Sequence, residues 1–284
     1  MHDGDTTTND HHPDTPGPRV SGRTPDLSDM KLIAFSVWGA APKYTAGAVR
    51  NAELARFLYP DWSAIFFCQK DVDRSIQAAI LERGGIVRIV DEAPNWRGTV
   101  WRFFATWIPG AEAIIFRDTD SRLGTREQAA VAEWLRSDHA YHIMRDHPDH
   151  LAPMLGGMWG VKGNGIQTVR RELGRIEVAH PEWGLDQDFL AHRICPHALN
   201  DALIHDEFFS LNDFPTARIG TEFVGDVFDE NDARHPEHWK SIACWNRLRR
   251  NPILGRRLRT ARSADLTNRQ LTQAWLQRQR QPSK

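Results

Sequence analysis

Four short apolar runs constrain this chain most. Residues 32–37, 64–68, 86–90 and 113–116 are each too short for a helix and carry apolar residues at odd and even positions alike. Such runs read as strands covered on both faces. Between the first three lie segments of helical pattern. Residues 46–58 place Val49, Ala52, Leu54, Phe57 and Leu58 as apolar candidates, and residues 74–83 stop at Gly84-Gly85, a C-terminal glycine signal. The alternation predicts an α/β fold, a mostly parallel sheet flanked by helices.

The fourth run ends at Arg117-Asp118-Thr119-Asp120-Ser121. In an open α/β sheet, ligands bind beyond the carboxyl ends of the strands. Two carboxylates there can hold a hard divalent cation, Mn or Mg, through oxygen, and the cation can hold a phosphate. An Asp-x-Asp alone is also a common surface turn, because Asp favours turns and caps. The strand before it and a helix start after it, where Thr125 and Gln128 fit a capping box, favour the ligand reading.

Other candidates follow in chain order. Lys43 and Tyr44 close a loop of residues 38–44 that could receive a nucleotide base or phosphate, or be an ordinary strand-to-helix turn. Residues 96–105 read as an aromatic-rich helix. Trp101, Phe103 and Phe104 suit the core, whereas Arg102 needs a carboxylate or phosphate partner. Residues 141–150, dense in His and charge, read as a substrate-facing strand and loop carrying Arg145 and His147; Pro148 and the spacing fit no zinc pattern. Gly156 and Gly157, followed by Met158 and Trp159, permit close backbone approach to a ligand. Asp186, Gln187 and Asp188 open a helix, with N-capping by Asp186 the plainer reading. Residues 203–206 read as a short strand carrying His205 as a possible metal ligand.

Composition narrows the function. The formal net charge of −1 argues against a polyanion binder, so no nucleic-acid partner is expected. Three cysteines, far apart and odd in number, suggest neither zinc nor a disulfide framework, which fits a cytoplasmic protein. Residues 1–28, poor in apolar groups, are expected to be a disordered tail, residues 29–240 the folded domain, and residues 241–284 a basic helical extension. The arginines of that extension offer a peripheral membrane contact through anionic lipid. A solvated helical face is the plainer reading.

Strand-Asp-x-Asp, then Gly156-Gly157-Met158-Trp159-Gly160, then Asp186-Gln187-Asp188 fall in one order over residues 31–240. That order resembles the GT-A glycosyltransferases, most of all glycosyltransferase family eight and related bacterial proteins of polysaccharide synthesis. The resemblance implies a GT-A, Rossmann-like sheet and sugar transfer from a nucleotide-sugar donor to a glycan or glycolipid acceptor, with retained configuration. Asp118 and Asp120 would hold Mn or Mg and the donor diphosphate, and Arg102 would approach the donor. Gly156 and Gly157 would line the sugar pocket, where the family often has Asn-Ser-Gly. Asp186, Gln187 and Asp188 would form the catalytic set, the Asp-Gln pair on the transferred sugar. Arg145 and His147 would position sugar or acceptor. The family's late His ligand would be His205 or, second, His235; its His-x-x-Gly-x-x-Lys-Pro-Trp motif is absent, and His238-Trp239-Lys240 only echoes it. A metal-dependent nucleotidyltransferase or phosphohydrolase, or a non-catalytic nucleotide-sugar-binding domain, would use the same two carboxylates.

Overall fold

A computed structural model describes residues 20–21, 30–176, 182–208 and 212–250. The chain runs β1 (Val20–Ser21), β2 (Met30–Val37), α1 (Pro42–Leu58), β3 (Trp62–Gln69), α2 (Arg74–Glu82), β4 (Ile86–Val90), a 3₁₀ helix (Trp96–Trp107) and β5 (Ala111–Arg117). It continues with α3 (Thr125–Arg136), β6 (Tyr141–Arg145), β7 (Met158–Lys162), α4 (Asn164–Gly174), α5 (Leu185–Phe189), a π turn (Leu190–Ile194), α6 (Cys195–Ala198), β8 (Ala202–Asp206) and α7 (Pro236–Arg250).

Eight strands form one sheet in the order β1-β4-β3-β2-β5-β7-β6-β8. The neighbours β4, β3, β2 and β5 are parallel, β7 runs antiparallel to β5 and β6, and β8 is parallel to β6. This is the α/β class that the strand–helix alternation predicts. The strand order reverses direction between β2 and β5, and a crevice opens at such a switch point. Pairing of Phe35 with Arg117 sets Ser36 and Val37 beside Asp118.

Both sheet faces are covered, which is why the strands are apolar at every position. On one face Leu32, Ala34, Ile114 and Phe116 pack against the 3₁₀ helix and α4 to α6. On the other, Ile33, Phe35 and Ile115 pack against Ala48, Ala52 and Ala55 of α1, Ile80 of α2 and Val131 and Trp134 of α3. The small residues of α1 let it lie close to the sheet. Their spacing also carries Asn51, fully buried, to the end of β5.

Four local expectations change. Helix α1 begins at Pro42, a residue preorganised for the first helical position, so Lys43 and Tyr44 sit in its first turn and not in a loop. Helix α3 begins at Thr125 behind Gly124 with no side-chain cap, so the capping box does not form. Gly184, not Asp186, precedes the first turn of α5, which frees the Asp186 carboxylate for other partners. Val20–Ser21, inside the expected disordered tail, pairs antiparallel with the β4 edge. The rest of residues 1–28, and residues 251–284 with most of the arginine-rich extension, lie outside the described residues. Among the described residues no helix is long and apolar enough to cross a membrane.

Candidate functional site

The segment 96–107 shows how local geometry builds the site. A 3₁₀ helix has three residues per turn, so side chains at i, i+3 and i+6 eclipse. Trp96, Thr99 and Arg102 therefore share one face, and all three line a cleft of about 310 Å³. Val100, Trp101, Phe103 and Phe104 fill the core behind them. The cleft is completed by Ser36, Trp38, Tyr44, Asp118, Thr119, Asp120, Trp183, Gly184, Asp186, Gln187 and Val227.

Arg102 is almost fully buried, and its guanidinium joins two carboxylates. One amino group pairs with Asp118 and the other with Asp186 at 2.5 Å, while its backbone N–H donates to Ser36 Oγ at 2.9 Å. The carboxylate partner expected for Arg102 is thus double, drawn from segments 16 and 84 residues along the chain. Lys43 Nζ holds Asp120 at 3.1 Å. Burial, then the charge of Asp118, pushes the Asp120 carboxyl above the ordinary carboxylate range against the pull of Lys43. Burial also raises the Asp186 carboxyl, with Arg102 opposing and Asp118 adding to the rise. Three carboxylates and two cations leave this cluster formally one negative charge in excess.

The two glycines act on these carboxylates rather than on open space. A β-carbon at Gly156 would strike the Asp186 carboxylate and come within 2.6 Å of the Arg102 guanidinium, and one at Gly157 would strike the Asp118 carboxylate. With its amide oriented to satisfy both partners, Gln187 donates to Met154 O at 2.9 Å and accepts from Gly156 N at 2.8 Å, tying α5 to this segment.

The Asp-x-Asp turn has its own clamp. Asn51 donates to Thr119 O at 3.3 Å and Ser121 O at 2.8 Å and accepts from Leu123 N at 3.1 Å. Ser121 Oγ closes the turn on Asp118 O at 2.9 Å. From the far side, Phe228 N donates to Asp120 O at 2.8 Å and Val227 bridges Ser121. Asn51→Leu strands the Leu123 N–H and leaves the Thr119 and Ser121 carbonyls to Arg122 Nη1 alone, at 3.2 and 3.0 Å, and we expect it to cost about 1–3 kcal/mol of stability and to weaken ligand binding at the turn. A thermal melt checks this; an unchanged melting temperature would contradict the clamp.

Several expected site residues lie elsewhere. Met158 and Trp159 are core: Met158 packs against Ala130, Met144, Phe214 and Val224, and Trp159 packs on Phe116 and Phe103. Asp188 is exposed on the outer side of α5 and does not line the cleft. Residues 141–147 are buried and face the interior, not a substrate, and only Asp149 of the following turn is exposed. Arg145 is fully buried with Asp206 at 2.7 Å and Pro153 O at 2.9 Å. His147 is buried against Phe223 and His238, and its Nε2 meets His238 O at 3.1 Å. His205 cannot serve Asp118 and Asp120. It lies on β8, three strands from β5, about 14 Å away at ordinary strand spacing, bonded to His142 at 2.8 Å and beside Glu133. His235 lies nearer the turn, its backbone N donating to Val227 O at 3.1 Å and its ring against His238. Among the described residues no three His, Cys, Asp or Glu side chains converge as a metal cluster.

Residues that the sequence reading passed over are legible in hindsight. Asn51 interrupts the apolar face of α1 at helical spacing. Trp96 and Thr99 stand six and three positions before Arg102, a spacing visible only with a 3₁₀ period. Trp183 directly precedes the Gly184-Leu185-Asp186 segment. Val227 carries no signal.

The buried histidines have a measurable consequence. Burial holds His142 well below the ordinary imidazole range, with His205 and Arg117 adding to the shift, and burial likewise lowers His150, His147 and His205. The unfolded chain protonates these rings near pH 6.5, and the folded chain protonates them less readily. Unfolding therefore takes up protons, and stability falls as pH drops from about 6.5 towards 5. Replacing His142, stacked on Trp134, by Phe should flatten that slope. Melting temperatures between pH 7.5 and 5 check it, and an equal slope in both proteins would contradict it.

No protein-family model and no curated relative matches the chain. Among solved structures, the chain is similar to a glycosyltransferase involved in glycosylation of the major capsid of PBCV-1, at 13% identity and TM-score 0.42, covering 64% of this chain and 83% of that one. It is similar to glucosyl-3-phosphoglycerate synthase from Mycobacterium tuberculosis in complex with Mn²⁺, UDP and phosphoglyceric acid, at 13% identity and TM-score 0.43, covering 63% of this chain and 68% of that one. It is also similar to 4-diphosphocytidyl-2C-methyl-D-erythritol synthase from Anaerococcus prevotii, at 12% identity and TM-score 0.41, covering 63% and 87%.

Proposed function

We propose that the chain is a glycosyltransferase that takes a sugar from a nucleotide-sugar donor, with a divalent cation recruited together with the donor diphosphate. One observation carries the reading: Asp118 and Asp120 line one cleft at the switch point of the sheet, beside a buried Arg102 that also holds Asp186. The donor set fits a hard cation, two carboxylates with no sulfur or imidazole in reach. Mg²⁺ and similar ions keep several waters and bind through one or two carboxylates plus substrate phosphates, so two protein ligands suffice when a diphosphate supplies the others. The excess negative charge of the cluster favours a cation, and the two charges of the cation offset those of the donor diphosphate. His235, whose ring packs on His238, does not line the cleft, and we assign neither it nor His205 a part.

When bound, the cation supplies Lewis-acid neutralisation of charge growing on the leaving diphosphate. The chain's own residues do the rest. Lys43 and Arg102 fix the two carboxylates; Gly156 and Gly157 let a backbone segment close over them. Asp186, anchored by Arg102, and Gln187, anchored to Gly156, face the cleft where the transferred sugar would lie. Trp38, set edge-to-face on Trp96 at 5.4 Å, and Tyr44 give the apolar surface a nucleobase needs. The acceptor, a glycan or glycolipid, supplies a hydroxyl; its oxygen bonds to the anomeric carbon as the diphosphate leaves and its proton is released.

The test is incubation with a panel of nucleotide sugars plus Mn²⁺, reading released nucleoside diphosphate. Slow hydrolysis of a nucleotide sugar supports the proposal. Hydrolysis of plain nucleoside triphosphates instead, with nucleotide sugars untouched, would overturn it in favour of a nucleotidyltransferase or phosphohydrolase. The anomeric configuration of the product, read by NMR, tests the retention expected from the resemblance.

A further inference from the structure

Resting on that reading, we propose that the acceptor is a neutral sugar chain, and that Trp183 is the platform on which its terminal ring stacks. Trp183 is 80% exposed, the most exposed large apolar side chain among the described residues, yet it lines the same cleft as Asp118 and Asp186. A solvated indole at the rim of a cleft is a ligand surface rather than a core residue. It sits three positions before Asp186, so a ring lying on it is held next to the sugar-facing end of the cleft. Trp96, 38% exposed, stands on the same lining.

The charges of the lining decide the chemical class. Its only cationic side chain among the described residues is Arg102, and both of its terminal nitrogens are taken by Asp118 and Asp186. Lys43, just behind, is held by Asp120. A phosphorylated or carboxylated acceptor would meet three carboxylates and no free cation. A neutral pyranose carries an apolar face of C–H groups, which an indole covers well, and hydroxyls at its edge. Thr99 Oγ1 donates to Trp96 O at 2.7 Å, and its lone pairs are open to accept from such a hydroxyl.

The test measures binding without donor, so that it does not depend on turnover. Cellopentaose, maltopentaose and chitopentaose, and the same sugars bearing a terminal phosphate, are titrated into the full chain by calorimetry and ligand-observed NMR. We expect saturable binding of at least one neutral pentasaccharide, about tenfold weaker in Trp183→Ala and largely restored in Trp183→Phe. So exposed a side chain can be replaced without loss of fold, which circular dichroism verifies. Equal binding by Trp183→Ala, tighter binding of the phosphorylated sugars, or no saturable binding of any neutral sugar would each overturn the proposal. Binding of nucleoside diphosphate with Mn²⁺, measured on the same samples, reports separately on the donor reading.

Discussion

Asp120→Asn is expected to reduce sugar-nucleotide turnover by about 100-fold or more while leaving the protein as stable as before, or slightly more so. A Lewis acid contributes several kcal/mol to such a reaction, and about 1.4 kcal/mol is a factor of ten. An amide in place of the carboxylate keeps the shape and loses the charge that recruits the cation. The stability half follows from the same electrostatics. Burial and Asp118 both disfavour a negative charge at Asp120, so the fold gains when that charge is removed. The ion pair given up, with the partly exposed Lys43, is worth little. Loss of turnover together with an unchanged or raised melting temperature is the signature of a group kept for function at the expense of the fold. A variant that melts well below the parent would mean the carboxylate is structural. One that turns over normally would remove it from the chemistry.

Glu127→Leu should act in the opposite way, through stability. Arg117 and Glu127 form a salt bridge in which both side chains are almost fully buried, at the carboxyl end of β5 directly before Asp118. Arg117 also donates to Trp159 O at 3.0 Å, and Tyr59 Oη donates to Glu127 at 3.4 Å. Removing one partner leaves an uncompensated charge in the core, at a cost of about 3–5 kcal/mol. Against a total of about 5–15 kcal/mol that is a large fraction. The double variant Arg117→Met with Glu127→Leu removes both charges and should recover most of the loss, because replacing a buried pair with apolar groups is often neutral. Urea denaturation of the parent, the single and the double variants measures this. A double variant no more stable than Glu127→Leu alone would show that the guanidinium's carbonyl contacts, not the pair, hold β5 in place.

The sheet was legible from the sequence because burial on both faces leaves strands apolar at every position, and four of them alternate with helices. The two carboxylates were legible because a buried strand that stops at charge must end at a surface or a site. Arg102 was legible because an Arg among Trp and Phe cannot be buried alone. The misreadings have a common cause: polar residues were assigned outward. Arg145, His147 and His205 sit inside, because Asp206, Pro153 O, His238 O and His142 satisfy them, and such partners come from distant segments that local pattern does not reveal. The glycine pair was read as room for a ligand, whereas the space is taken by Asp118 and Asp186. The 3₁₀ winding of residues 96–107 hid Trp96 and Thr99, because a helical wheel drawn at 3.6 residues per turn scatters them.

Calorimetric titration of Mn²⁺ into the protein, alone and in the presence of UDP, GDP, CDP or ADP, tests the central claim most directly. Two carboxylates without a third protein ligand should bind the ion weakly by themselves, and at least about tenfold more tightly once one of these diphosphates is present. Equal affinity with and without every nucleotide, or nucleotide binding indifferent to Mn²⁺, would contradict a site assembled jointly by Asp118, Asp120 and a diphosphate.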